Sequence, residues 1–177
     1  MTFADFLALV KQRRSIHYFA DAPVKKEQIE QLMEVARLAP SVENSQPWHF
    51  HVILNPALRR QMTESCCYGN FVEGAGVFIV VSCDRSVQSS TPEIVWNERE
   101  LEYSCIAAMM QVMLGATAMG LGSCMVSLHH GHVHELLKLP THISIVDGMM
   151  IGNFKKGEEE GGDHHQRKSL KEIVTFY

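Results

Sequence analysis

An uncharged run, YSCIAAMMQVMLGATAMGLGSCMVSL from Tyr103 to Leu128, limits what this chain can fold into more than any other feature. A stretch this long and this free of charge belongs in a bilayer or at the centre of a large soluble core. Gln111, Thr117 and the glycines and serines near its end keep its hydrophobicity modest, which favours the core. Joined to the residues before it, the run predicts a long buried helix over Glu98–Gly120. A strand over Ser123–Ser127 follows the glycine turn. The chain has 177 residues, 46% of them hydrophobic, enough to enclose such a helix in a single domain spanning residues 1–177.

The other periodic segments arrange themselves around that helix. Thr2–Arg13 places Phe3, Phe6, Leu7 and Val10 on one helical face, with Thr2 and Asp5 as a capping box. Lys25–Ala39 repeats the pattern through Ile29, Leu32, Met33 and Ala36, between Pro23 and Pro40. Trp48–Leu54 reads as a strand with Trp48, Phe50, Val52 and Leu54 on one face, and Asn55-Pro56 opens a short helix. Val77–Ser82, VFIVVS, is a β-branched apolar run, expected to be a central strand covered on both faces. A short helix from about His132 to Lys138 and a strand over Ile143–Ile151 complete the body. After a charged, glycine-rich stretch the apolar pattern returns at Leu170, Ile173 and Val174, capped by Ser169 and Glu172. Such a tail must pack on something, often a second subunit. The order of elements predicts an α+β fold with helices on both faces of a sheet.

Several function classes are disfavoured. The net charge of −4 and pI near 6.2 argue against nucleic acid or an anionic membrane as partner. The N-terminus lacks the order of a signal peptide. Five cysteines without a C-x-x-C spacing predict reduced, mostly buried thiols in a cytoplasmic protein, and no zinc. There is no G-x-G-x-x-G after the first strand, and no G-x-S-x-G nucleophile. Catalysis, if any, falls to a bound group.

Four clusters remain. KQRRSIHYF, Lys11–Phe19, closes the first helix with Arg13, Arg14, Ser15 and His17. These residues either complement the helix dipole or grip a phosphate, whose oxygens match the planar guanidinium. PSVENSQPWHF, Pro40–Phe50, carries Asn44 and Gln46 on a loop stiffened by Pro47. Their amides can tie the loop itself or read a heterocycle edge. HHQRKSL near the C-terminus holds His165, Arg167 and Lys168, a solvated basic face or a second anion contact. LHHGHVHELL holds His129, His130, His132 and His134. Two of them share helical metal-ligand spacing, yet no further ligand completes a set, so structural histidines are expected. His49 and His51 share one face of a strand and are read the same way.

Together RRSIHYF, Pro23-Val24, LMEVARLAPSVENSQPWHFHVI, MLGATAMGLGSCMVS, MMIGNF and QRKSLKEIV resemble the FMN-dependent nitroreductase family along nearly the whole chain. The resemblance implies a mixed sheet flanked by helices in an intertwined homodimer, with FMN at the subunit interface. It assigns Arg13, Arg14 and Ser15 to the phosphate and ribityl. His17 stands where the family usually has Arg or Lys. Pro40, Ser41, Asn44 and Gln46 would lie against the flavin, partly from the neighbouring subunit. Arg167, with Lys168 or His165, would supply the C-terminal basic contact. Ser127 and Leu128 would approach the ring near its reactive nitrogen, and Asn70 its pyrimidine edge. No side chain is assigned a catalytic role, because the flavin carries the chemistry. The implied activity passes electrons from NADH or NADPH to a nitroaromatic, a quinone or a similar small molecule by a ping-pong order. Alternatives are a relative with other flavin chemistry, such as reductive dehalogenation, a flavin sensor or carrier, and a histidine-based metal module. The chain is short for the family, and Gly152-Asn153-Phe154 replaces the usual Gly-Tyr-Pro. Both departures bear on the substrate side.

Overall fold

A computed structural model describes residues 1–67, 74–87, 98–155, 157 and 167–177. Helix α1 spans Phe3–Gln12. Its N-cap Thr2 accepts from the Asp5 amide at 3.2 Å, and the Asp5 carboxylate takes the Thr2 N–H at 2.7 Å. Both expected halves of the capping box are therefore formed. Helix α2, Lys26–Arg37, buries Ile29, Leu32 and Ala36. Strand β1, Trp48–Ile53, ends one residue early, so Leu54 lies beyond it and is 53% exposed. Asn55 caps helix α3, Pro56–Glu64, by accepting from the Ala57 and Leu58 amides. Strand β2 runs Val77–Asp84, buried along all but its last residue.

Helix α4, Glu98–Ala118, is the long helix expected from the uncharged run. Strand β3, Gly122–Val126, follows, then helix α5, His130–Leu137, and strand β4, Ile143–Gly152. A last helical turn, α6, covers Leu170–Ile173, with Ser169 and Glu172 forming the expected cap.

The sheet order is β1-β2-β4-β3, and every pair of these strands is antiparallel. The parallel element of the expected mixed sheet is, among the described residues, a single bridge between Ser15 and Ser123. Alternation along β2 builds two layers. Val77, Ile79, Val81 and Cys83 face α2 and α4. Phe78 and Val80 face the opposite way, toward Met62 of α3 and Val133 of α5. This is the helix-covered central strand that VFIVVS predicts.

One expectation is overturned. α4 is not enclosed on all sides. Cys105, Ala108, Met109, Val112 and Ala116 are fully buried, but Tyr103, Ile106 and Met110 are exposed along another face. α1 packs beside α4 yet buries none of its residues. The residues after 166 are exposed throughout the described C-terminal segment. An all-round apolar helix satisfies two surfaces, and the single chain provides only one.

Candidate functional site

The cationic block is positioned by the C-terminus of α1. The chain leaves the helix at Arg13 and runs extended along β3, where Ser15 bridges Ser123 and the Ile16 amide donates to Ser123 O at 3.0 Å. Close approach depends on Gly122, since a Cβ there would lie 2.8 Å from Cγ1 of Ile16. An extended segment alternates its side chains, and this separates the two arginines. Arg13 lies near Cys124 of β3. Burial pushes the Cys124 thiol up to about 11, while the Arg13 charge pulls it back. Arg14 points the other way and hydrogen-bonds the carbonyls of Lys11 and Arg13, satisfying the end of α1. Arg14, Ile16, Thr117 and Gly120 line a cavity of about 470 Å³ on that second side. Ser15 and His17 are half-buried.

The loop after α2 is strained. Glu43, Asn44 and Gln46 hold φ values of 49°, 54° and 48°, a region that favours glycine. Ser41 Oγ accepts from the Gln46 amide at 3.0 Å, and the Val42 amide donates to Ser104 Oγ on α4 at 3.2 Å. Gln46 donates its side-chain nitrogen to Asn44 O at 3.2 Å, so that amide ties its own loop. Asn44 and Pro40 are exposed.

The turn after β3 is held by a second short ladder. Cys66 pairs with Leu128, the Cys67 amide donates to Ser127 O at 2.8 Å, and the His129 amide donates to Ser65 O at 2.8 Å. Ser127 is exposed and Leu128 is buried. Cys67 is likewise exposed, with Sγ 4.0 Å from His129 Nδ1, whereas the other four thiols are buried. The helix-borne histidines do not converge. His132 Nδ1 meets Ser65 Oγ at 3.0 Å, and His134 Nε2 donates to Pro140 O at 3.1 Å. No group of three metal-ligating side chains occurs among the described residues. The His49 and His51 rings lie 4.6 Å apart on β1, tilted by 54°, and His51 Nε2 lies 2.9 Å from Ser82 Oγ.

The predicted residues thus fall into separate places within one chain. Arg13 and Ser15 lie at the start of β3. Ser127 and Leu128 lie past its far end, roughly 13 Å on at the rise of a strand. The Pro40–Gln46 loop touches α4 at Ser104, whereas Arg14 shares its cavity with Thr117 of the same helix. Thirteen residues of helix separate those contacts by roughly 20 Å. Arg167 and Lys168 are exposed just before α6. Asn70 and His165 lie outside the described residues. Sequence reasoning passed over Asp147, although an acid inside the apolar strand β4 was visible as an anomaly.

Comparison with known proteins agrees with this fold. A sequence profile of the nitroreductase family matches residues 10–153. A protein of Archaeoglobus fulgidus, provisionally named NADH dehydrogenase/NAD(P)H nitroreductase, is 30% identical over 88% of each chain. A nitroreductase family protein from Clostridium difficile 630 superposes with TM-score 0.82 at 25% identity, covering 99% of this chain and 98% of its own. An FMN-dependent nitroreductase from Clostridium difficile R20291 gives TM-score 0.79 at 24% identity, covering 96% and 98%. No helix among the described residues is long and apolar enough to cross a membrane. The chain belongs to the nitroreductase family.

Proposed function

We propose that this chain, an oxidoreductase by its family, works as a homodimer that holds FMN between its copies and uses NADH or NADPH to reduce a nitroaromatic, a quinone or a similar small molecule. The observation that carries the dimer is the distance along α4. The strained loop and the Arg13 block lie toward opposite ends of that helix, and among the described residues the apolar faces of α1 and α4 remain partly exposed. Two copies meeting through those faces would bring one copy's loop toward the other copy's cationic block. The exposed tail, with Leu170, Ile173, Val174 and Phe176, would wrap the partner.

The donor set fits the cofactor. Arg13 offers a permanent charge and Ser15 a hydroxyl, both on a segment pinned to β3, which suits phosphate. Asn44 offers an exposed amide for a heterocycle edge, and Ser127 opens the backbone at the far end of β3. His17, Arg167 and Lys168 are further phosphate candidates, with Asn70 and His165 as outer members of the set. Arg14 contributes through α1, whose end it steadies. The chemistry supplied by FMN when bound is two-electron transfer, first from the nicotinamide and then to the acceptor, in a ping-pong order. This chain's part is to bind, orient and keep the site apolar.

The test is direct. The purified protein should be yellow, and anaerobic NADH or NADPH should bleach it, with colour restored by a nitroaromatic or quinone. Arg13→Ala should weaken FMN retention by about 1.5–3 kcal/mol, the worth of a charge-assisted contact. Flavin binding unchanged by that variant, measured by equilibrium titration, would remove Arg13 from the site.

A further inference from the structure

Strand β4 carries one charged residue, Asp147. Regular alternation would turn it to the side of Met149 and Ile151, against α2 and α4. Its neighbours lie on the other side. The pairing of β2 with β4 slips between Val81 and Ser82, so Val81 faces Asp147, Ser82 faces Ile145, and Val146 is an extra residue. A bulge of this kind re-aims the side chains beside it. The β3–β4 register sets Gly148 opposite Val126, so Asp147 lies beside the Ser127–Leu128 turn, where it feels the charge of His130 and helps raise the Cys66 thiol.

That position is costly. Burial raises the affinity of the carboxylate for a proton, opposed by His130 and by the Gly148 and Leu128 amides. Its Oδ1 is out of solvent and has no hydrogen-bond partner among the described residues. Natural proteins seldom keep such an oxygen without a use for it. On its other side the same turn is held by the Cys66–Leu128 pairing. The segment Ser127–His130 is therefore clamped between residues 65–67 and Asp147.

We propose that Asp147 is a positioning residue for the flavin reaction, fixing the Ser127–His130 turn from behind and placing a negative charge beyond the peptide that faces the cofactor. The inference rests on the flavin reading above. In its ionised form the carboxylate opposes electron uptake nearby, so Asp147 holds down the reduction potential of bound FMN.

Asp147→Asn keeps the shape and removes the charge. The expected result is unchanged FMN content, a higher midpoint potential, and a changed kcat with KM for the acceptor unaltered. Asp147→Glu should return the potential toward that of the parent, and it carries the comparison if the Asn variant does not fold. Independently of colour, Asp147→Ala should speed hydrogen exchange of the 127–130 amides at least tenfold while β2 stays protected. A potential indifferent to charge at position 147, or exchange at 127–130 unchanged, would overturn the proposal. A parent protein that takes up no FMN would overturn the flavin reading and the electrostatic role with it, leaving the exchange measurement to decide the clamp alone.

Discussion

Helices α1 and α2 have the same kind of apolar stripe and opposite fates. In α2 the stripe is interior: Leu32 and Ala36 are completely buried, and Ile29 nearly so. In α1 Phe3 is 76% exposed, and Phe6, Leu7 and Val10 are each about 40% exposed. Amphipathic periodicity states that a face will be covered. It does not state whether the cover comes from the same polypeptide. α4 contains both cases in one helix, with Cys105 and Met109 turned to the sheet and Ile106 and Met110 turned outward.

The largest effect is expected at the interior stripe. Leu32→Ala should lower the stability of the chain by about 2–5 kcal/mol in urea denaturation, the usual range for a fully buried leucine. A loss within the noise of the experiment would erase the contrast between the helices. Phe6→Asp should leave the fold of each chain intact by circular dichroism but shift the molecule from dimer to monomer in light scattering. Covering what is still exposed of Phe6, 41% of it, is worth about 1 kcal/mol in each copy. If Phe6→Asp unfolds the chain instead, α1 belongs to the core and the comparison fails. Thr2→Ala removes the hydroxyl that caps α1 and should cost about 0.5–2 kcal/mol of helix stability. It should appear as a weaker dimer rather than as a lower melting temperature of isolated α2-side structure.

A pH-dependent effect is expected on the histidine-bearing face of β1. Burial, with the charge of His49 beside it, lowers the His51 pKa from 6.5 to about 4. The native state therefore favours neutral His51, and the unfolded chain binds more protons between those values. Stability should be retained above about pH 6.5 and decline as pH falls toward 4. His51→Gln should flatten that decline, measured by thermal melts across the interval. A decline of undiminished slope in the variant would assign it to other groups.

Much of the fold was legible because its signals are local. Thr2 with Asp5, Asn55 with Pro56, and Ser169 with Glu172 mark helix starts through bonds within three residues. VFIVVS announces a strand covered on both faces because nothing in it tolerates water. The exposed side of α4 was not legible, since an interior face and an exposed apolar face have the same composition. Arg13 and Arg14 read alike in sequence and differ only through the extended backbone that turns them apart. Asp147 owes its direction to a register slip between distant strands, which no local pattern encodes. The motif residues around Asn44 and Arg13 were read as one set, although within one chain the contacts of their segments with α4 lie roughly 20 Å apart.

That span along α4 has a genetic consequence. In the proposed dimer, a cell making two damaged alleles, one altered at Asn44 and the other at Arg13, would assemble mixed pairs in which both lesions gather at one cleft. The opposite cleft would draw its loop and its arginine from undamaged segments. Two null alleles would then restore activity together, a recovery that two lesions within the same segment could never produce.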